Sequence, residues 1–211
     1  MKKHVFPLII MLLSILCWVI FYNKLPSQIP MQWGVDGTVN SYAPKLQAAF
    51  THNGILLFLY ALLVLSPKMD PRKQNYQKFS RSYRIITLAI MLVLFLLNIS
   101  VLLASLGYNL NVTTITPILV GILFIILGNY MQTVKPNFFI GIRTAWTLSN
   151  EQVWRKTHRL GSKLFILGGL LFFVTPFVPE RLLFPLIISI ILAVVLIPTL
   201  YSYVQYRKLT E

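Results

Sequence analysis

The sequence holds one cysteine, Cys17, so no internal disulfide and no thiolate metal cluster can form within the chain. Charged residues are also sparse, at 11% of 211, and no Asp, Glu, Lys or Arg lies inside any of the six long apolar runs. Ion-coupled pumps place ionisable groups inside their spans despite a cost of about 2.5–3.5 kcal/mol each, so this pattern argues against that class. H-E-x-x-H, G-x-S-x-G and G-x-x-x-x-G-K-[ST] are missing, and His4, His52 and His158 are too scattered to suggest a metal site. The expectation is a protein that is not an enzyme and needs no metal or cofactor. His52 and Asn98 read as polar packing groups.

What the chain has in excess is apolar surface: 56% of residues are hydrophobic and the mean hydropathy is +0.72, outside the usage of soluble domains. A bilayer core of about 30 Å needs roughly 20 apolar residues in a helix. Runs near that length occupy 5–22, 49–65, 85–106, 112–129, 164–178 and 182–204. They predict an all-α polytopic membrane protein, one membrane domain over 1–211 with six transmembrane helices. The first run follows Lys2 and Lys3 as a secretory signal would, but no small-x-small cleavage site comes after it. Leu16 also fills the position before Cys17 where a lipoprotein signal needs a small residue, so the run reads as an anchor helix. Gly121 with Gly128, and Gly161 with Gly168 and Gly169, stand at heptad spacing and suit close helix contact.

Of the 19 Lys and Arg, 16 fall at the two termini and in loops 67–84 and 131–163, while only Lys24, Lys45 and Arg181 fall in the alternate loops. Cytoplasmic loops accumulate cations, which predicts cytoplasmic termini, cytoplasmic loops 67–84 and 131–163, and an outside loop 23–48. The net charge of +14 is then a topology signal, and no direct nucleic-acid binding is expected.

Both basic loops show helical amphipathicity. Ser149 with Gln152 has the spacing of a capping box. In the helix it would start, Val153, Trp154, Thr157, Leu160, Gly161 and Leu164 share an arc, with Arg155, Lys156, His158, Arg159 and Lys163 on the remainder. Asp70-Pro71 starts a second such segment, with Tyr76, Phe79 and Tyr83 on one face and Lys73, Lys78, Arg81 and Arg84 on the other. Both are expected to lie flat on the membrane against anionic lipid. Outside, Asp36-Gly37 favours a hairpin turn, predicting a compact cap whose Trp33, Asp36, Asn40 and Tyr42 could contact a ligand, an exposed aromatic among polar groups being usual recognition chemistry.

The stretch "GNYMQTVKPNFFIGIRTAWTLSNEQVWRKTHRLGSK" carries Gly-Asn-x-Met, Gly-Ile-Arg-Thr, Trp-Thr-Leu and Val-Trp-x-Lys-x-x-Arg in order. With them the chain resembles the SdpI-type immunity family of Gram-positive bacteria over nearly its whole length. The outside loop similarly resembles that family's L-P-x-x-I-P-x-[HQ]-W module. Ala145 stands where members commonly have proline, which predicts a looser turn. The resemblance implies a plasma-membrane protein that protects a cell from a secreted peptide toxin. It also implies, from the best understood member, capture of a cytosolic winged-helix repressor at the membrane. The residues expected to form a cytoplasmic docking or structural motif are Arg143, Thr144, Trp146, Glu151, Trp154, Arg155 and Arg159. Two alternatives stay open: a small exporter of the peptide, and a membrane enzyme acting on lipid or envelope through Arg143, Glu151 and His158.

Overall fold

The computed structural model describes residues 4–34 and 36–210, so Lys2 and Lys3 lie outside the described residues. The chain runs α1 (Val5–Phe21), a hairpin of β1 (Gln28–Trp33) and β2 (Val39–Pro44), α2 (Lys45–Met69), α3 (Asn75–Lys78), α4 (Ser80–Ser105), α5 (Val112–Met131), α6 (Ala145–Ser149), α7 (Glu151–Phe172) and α8 (Glu180–Thr210). Among the described residues, six helices are long and apolar enough to cross a membrane: Val5–Lys24, Lys45–Met69, Ser80–Ser105, Val112–Met131, Glu151–Phe177 and Glu180–Thr210. The protein is an all-α membrane protein of six spans. Its small antiparallel sheet belongs to the cap, where Gly37 at φ 82 takes the left-handed backbone that glycine adopts without strain.

The spans are joined by small residues and polar ties. A Cβ on Gly121 would lie 2.8 Å from the Gly169 carbonyl oxygen, and one on Gly128 would lie 2.8 Å from that of Ser162. The heptad glycines therefore let α5 and α7 approach backbone to backbone. At the opposite side of the bundle, Asn98 accepts the Trp18 Nε1–H (2.8 Å) and donates to Ser14 Oγ (2.7 Å), which donates in turn to Asn53 (2.7 Å). Asn98 thus acts as a packing group across α1, α2 and α4, and His52 stacks on Trp18.

The structure departs from the expectation of flat interfacial helices. The helix beginning at Glu151 runs unbroken into the fifth span, and its N-cap is Asn150, whose side chain accepts from Gln152 N and Val153 N. Ser149 instead donates to Ala145 O. The apolar stripe is where periodicity placed it, but it packs on protein: Val153, Trp154 and Thr157 are fully buried, and so is His158, which the helical wheel grouped with the cations. Amphipathicity reports that one side is dry without saying whether lipid or protein covers it. Likewise Tyr76 and Phe79 pack in a core with Ile86, Val134 and Trp154. Asp70 makes a turn with Arg72 N, and regular helix begins only at Asn75.

Candidate functional site

The two ends of the bundle carry different chemistry. At the basic end, loops 70–79 and 132–150 fold into one body through hydrogen bonds that their sequences would not reveal singly. Buried Asp70 accepts from Tyr76 Oη (2.9 Å) and from the Phe138 amide (2.8 Å). Asn75 Nδ2 donates to Pro136 O (2.7 Å), and Arg72 Nη2 donates to Leu148 O (3.0 Å) while its guanidinium lies 4.9 Å from the Phe138 ring centre. Asn137, with no exposed surface, accepts from the amides of Phe139 and Ile140, lies 3.2 Å from Tyr76 Oη, and donates to the carbonyls of Lys135 and Ile140. Burial, then the hydrogen bond to Asp70, holds the Tyr76 phenol far above its ordinary pKa, so it stays a neutral donor.

His158 supports the next turn from below. Its Nε2 accepts the Ile142 amide (3.1 Å), and its Nδ1 faces the Trp154 carbonyl (2.9 Å). These two partners fix the neutral tautomer with hydrogen on Nδ1. The ring stacks on Trp154 at 4.0 Å between centres, and Trp154 donates its own Nε1–H to Val134 O. Directly above, Gly141 has φ 105, and any Cβ there would meet His158 Nε2. Thr144 then caps α6 reciprocally with Thr147 and contacts Ser202 Oγ of α8 at 2.9 Å. Ala145 is the first residue of α6, where the amide has no intrahelical acceptor. The capping box closes this turn on the Thr144 and Thr147 side chains, with Ala145 at its first helical position.

Of the residues singled out at this end, Arg143 is exposed and donates to Phe138 O (2.6 Å). Trp146 is half-buried against Tyr203, ring centres 5.0 Å apart. Glu151 and Arg155 are exposed and paired at 3.7 Å, and Arg159 is exposed. Trp154 is wholly internal and supports the face without being part of it. A polar cleft of about 390 Å³ lies beside the loops, lined by Arg72, Lys78, Lys135, Ser149 and Glu151 among others. Asp70, Tyr76, Asn137 and His158, which hold this end together, were not expected in these roles; only the turn-forming Asp70-Pro71 pair gave a signal.

At the hairpin end, a cleft of about 850 Å³ opens between the hairpin, the α4–α5 connection and the start of α8. Trp33 and Asp36 line it; Asn40 and Tyr42 do not, and both are exposed on β2. The Asp36 carboxylate accepts from Thr38 Oγ1 (2.8 Å) and Thr38 N (3.1 Å), and these bonds lower its pKa below the ordinary value. Glu180, which sequence reasoning passed over, lines the same cleft, and among the described residues no Lys or Arg does.

Residues 133–202 match the SdpI/YfhL protein family, and residues 9–64 match a domain of unknown function, DUF1648. Over 209 residues the chain is 34% identical to the immunity protein SdpI of Bacillus subtilis (strain 168), covering 99% of this chain and 98% of that protein. No solved structure matches.

Proposed function

The chain belongs to the SdpI/YfhL family, and on that premise we propose that it is an immunity protein, protecting its cell from a secreted peptide toxin at the plasma membrane. The observation that carries this reading is similarity to an immunity protein over 99% of the chain, which includes both loop faces. The 16 to 3 division of cations supports an arrangement with the hairpin outside and both termini inside. The toxin then meets the hairpin cleft, where Trp33 supplies apolar area and Asp36 and Glu180 supply charge; Asn40 and Tyr42 extend the contact along β2.

Inside, exposed Arg143, Glu151, Arg155 and Arg159 and half-buried Trp146 form a surface over Thr144 and Trp154. Arg72, Lys78 and Lys135 line the adjoining cleft and suit an acidic segment of a cytosolic partner. A winged-helix repressor held there is the signalling extension of this reading. The test is expression of the full chain in a toxin-sensitive cell followed by challenge with the candidate peptide. Survival equal to that of empty-vector cells, with the protein present in the membrane, refutes immunity. Uptake of labelled peptide into inside-out vesicles carrying the protein would instead identify an exporter.

A further inference from the structure

A second cavity, of about 520 Å³, lies at the basic end between the start of α1, the end of α2 and the start of α4. Its volume is in the range of ligand pockets. Leu63, Val64 and Leu88 contribute apolar wall and Lys68, Arg81 and Arg84 contribute positive charge, with no Asp or Glu among the described residues of the lining. The three cationic residues are exposed, and their side chains make no hydrogen bond or ion pair among the described residues.

The apolar wall continues into the exposed apolar surface of the candidate spans. Phe6 and Leu88, both lining residues inside candidate spans, are 66% and 36% exposed. A water-soluble acidic partner would leave this wall facing hydrocarbon, whereas an amphiphile satisfies both halves of the lining. Pro67, another lining residue, interrupts the amide ladder of α2 near its end, beside Lys68.

We propose that this cavity is a binding site for an anionic phospholipid, whose phosphate lies among Lys68, Arg81 and Arg84 and whose acyl chain follows Leu63, Val64 and Leu88 into the bilayer. The site does not depend on the immunity reading, since it requires neither toxin nor repressor.

Native mass spectrometry of the purified full chain in nonionic detergent, titrated separately with phosphatidylglycerol and phosphatidylcholine, tests it. The wild type should retain phosphatidylglycerol preferentially. Arg81→Gln with Arg84→Gln should weaken that retention by about 25-fold, a factor of roughly five for each of two cations near lipid. Lys156→Gln with Lys163→Gln, which removes equal charge from the basic end away from the cavity, should leave it within about twofold of wild type if attraction is local. Equal retention of the two lipids would overturn the proposal. So would equal weakening by the two double substitutions, which describes a diffuse basic collar, or displacement of the lipid by excess inorganic phosphate, which describes a simple anion site.

Discussion

Tyr83 supplies the hydrogen bond that Pro67 cannot make. Proline has no amide hydrogen, so the Leu63 carbonyl, four residues earlier in α2, loses its helical donor. The Tyr83 hydroxyl, from the first turn of α4, donates to that carbonyl at 2.5 Å. The tie lets α2 extend past Pro67 to Met69 and sets the geometry from which loop 70–79 departs.

Tyr83→Phe should therefore destabilise the protein by about 1 kcal/mol, the low end of the cost of an unsatisfied acceptor, since this one is only partly buried. The same change in a Pro67→Ala background should cost less, because alanine at that position restores an amide donor to the Leu63 carbonyl. Thermal unfolding in detergent across the four proteins of this cycle measures the coupling. Strictly additive effects would show that the hydroxyl and the proline act independently.

The six spans were legible because bilayer thickness imposes a length and a composition that the sequence states directly. The hairpin was legible from Asp36-Gly37, and close packing of α5 and of α7 from glycine spacing, but not that these two helices meet each other. What covers the amphipathic stripe of α7 was not, because Val153, Trp154 and Thr157 present the same pattern toward lipid as toward a neighbouring loop. Asn137 and His158 were hidden for a related reason. Each satisfies backbone groups brought near by the fold, and only three-dimensional proximity distinguishes such a residue from an ordinary polar one.

Gly141 is held by two constraints, a positive φ and the His158 ring where a Cβ would sit. Gly141→Ala should lower stability by more than His158→Asn, which shortens the side chain without crowding the turn. His158→Phe keeps the ring but leaves the Ile142 amide unpaired, and should cost about 1–3 kcal/mol. Membrane abundance and melting temperature read both effects. A Gly141→Ala protein as stable as wild type would show that the turn relaxes freely.

Arg143 donates to Phe138 O from the rim of the basic face, and Trp146 packs on Tyr203. A guanidinium offers a planar fork of donors that an ammonium lacks, so if the proposed docking of a repressor holds, Arg143→Lys should impair its recruitment although charge is conserved. Trp146→Ala should do the same, by roughly tenfold for loss of an aromatic anchor. Lys156→Ala, which breaks a contact to Gln205, should have little effect. Recruitment of a tagged cognate repressor to membranes, corrected for protein abundance, is the measurement; unchanged recruitment in the first two variants would leave this loop a structural element only.

Orientation is testable with one residue at each end. Ser27 and Ser149 are exposed, Ser27 beside the hairpin and Ser149 at the basic end. In a Cys17→Ser background, Ser27→Cys should react with an impermeant maleimide in intact cells, and Ser149→Cys only after permeabilisation. Reaction at Ser149→Cys from outside would invert the topology.

The hairpin cleft makes a prediction about the toxin itself. Only five acidic residues exist in the whole sequence, and two of them, Asp36 and Glu180, line this cleft with no Lys or Arg among its described lining residues. Glu180 has a local role as well, since a carboxylate at the first residue of α8 complements the positive end of the helix dipole. Asp36 is exposed and ionised at neutral pH like any solvated carboxylate, with the Thr38 hydrogen bonds lowering its pKa further. A segment bearing Lys or Arg would therefore be drawn to the cleft, and Trp33 would cover its apolar part. Charge attraction at an exposed site weakens with salt, whereas apolar contact does not. Asp36→Asn with Glu180→Gln should lower toxin affinity by roughly tenfold at low ionic strength and abolish most of its salt dependence. Trp33→Ala should lower affinity by a similar factor at every salt concentration. Binding isotherms of labelled toxin to the purified protein, taken at several salt concentrations, separate the two components. Wild-type affinity that is independent of salt would refute the electrostatic part, and undiminished binding by the triple variant would place the toxin contact elsewhere.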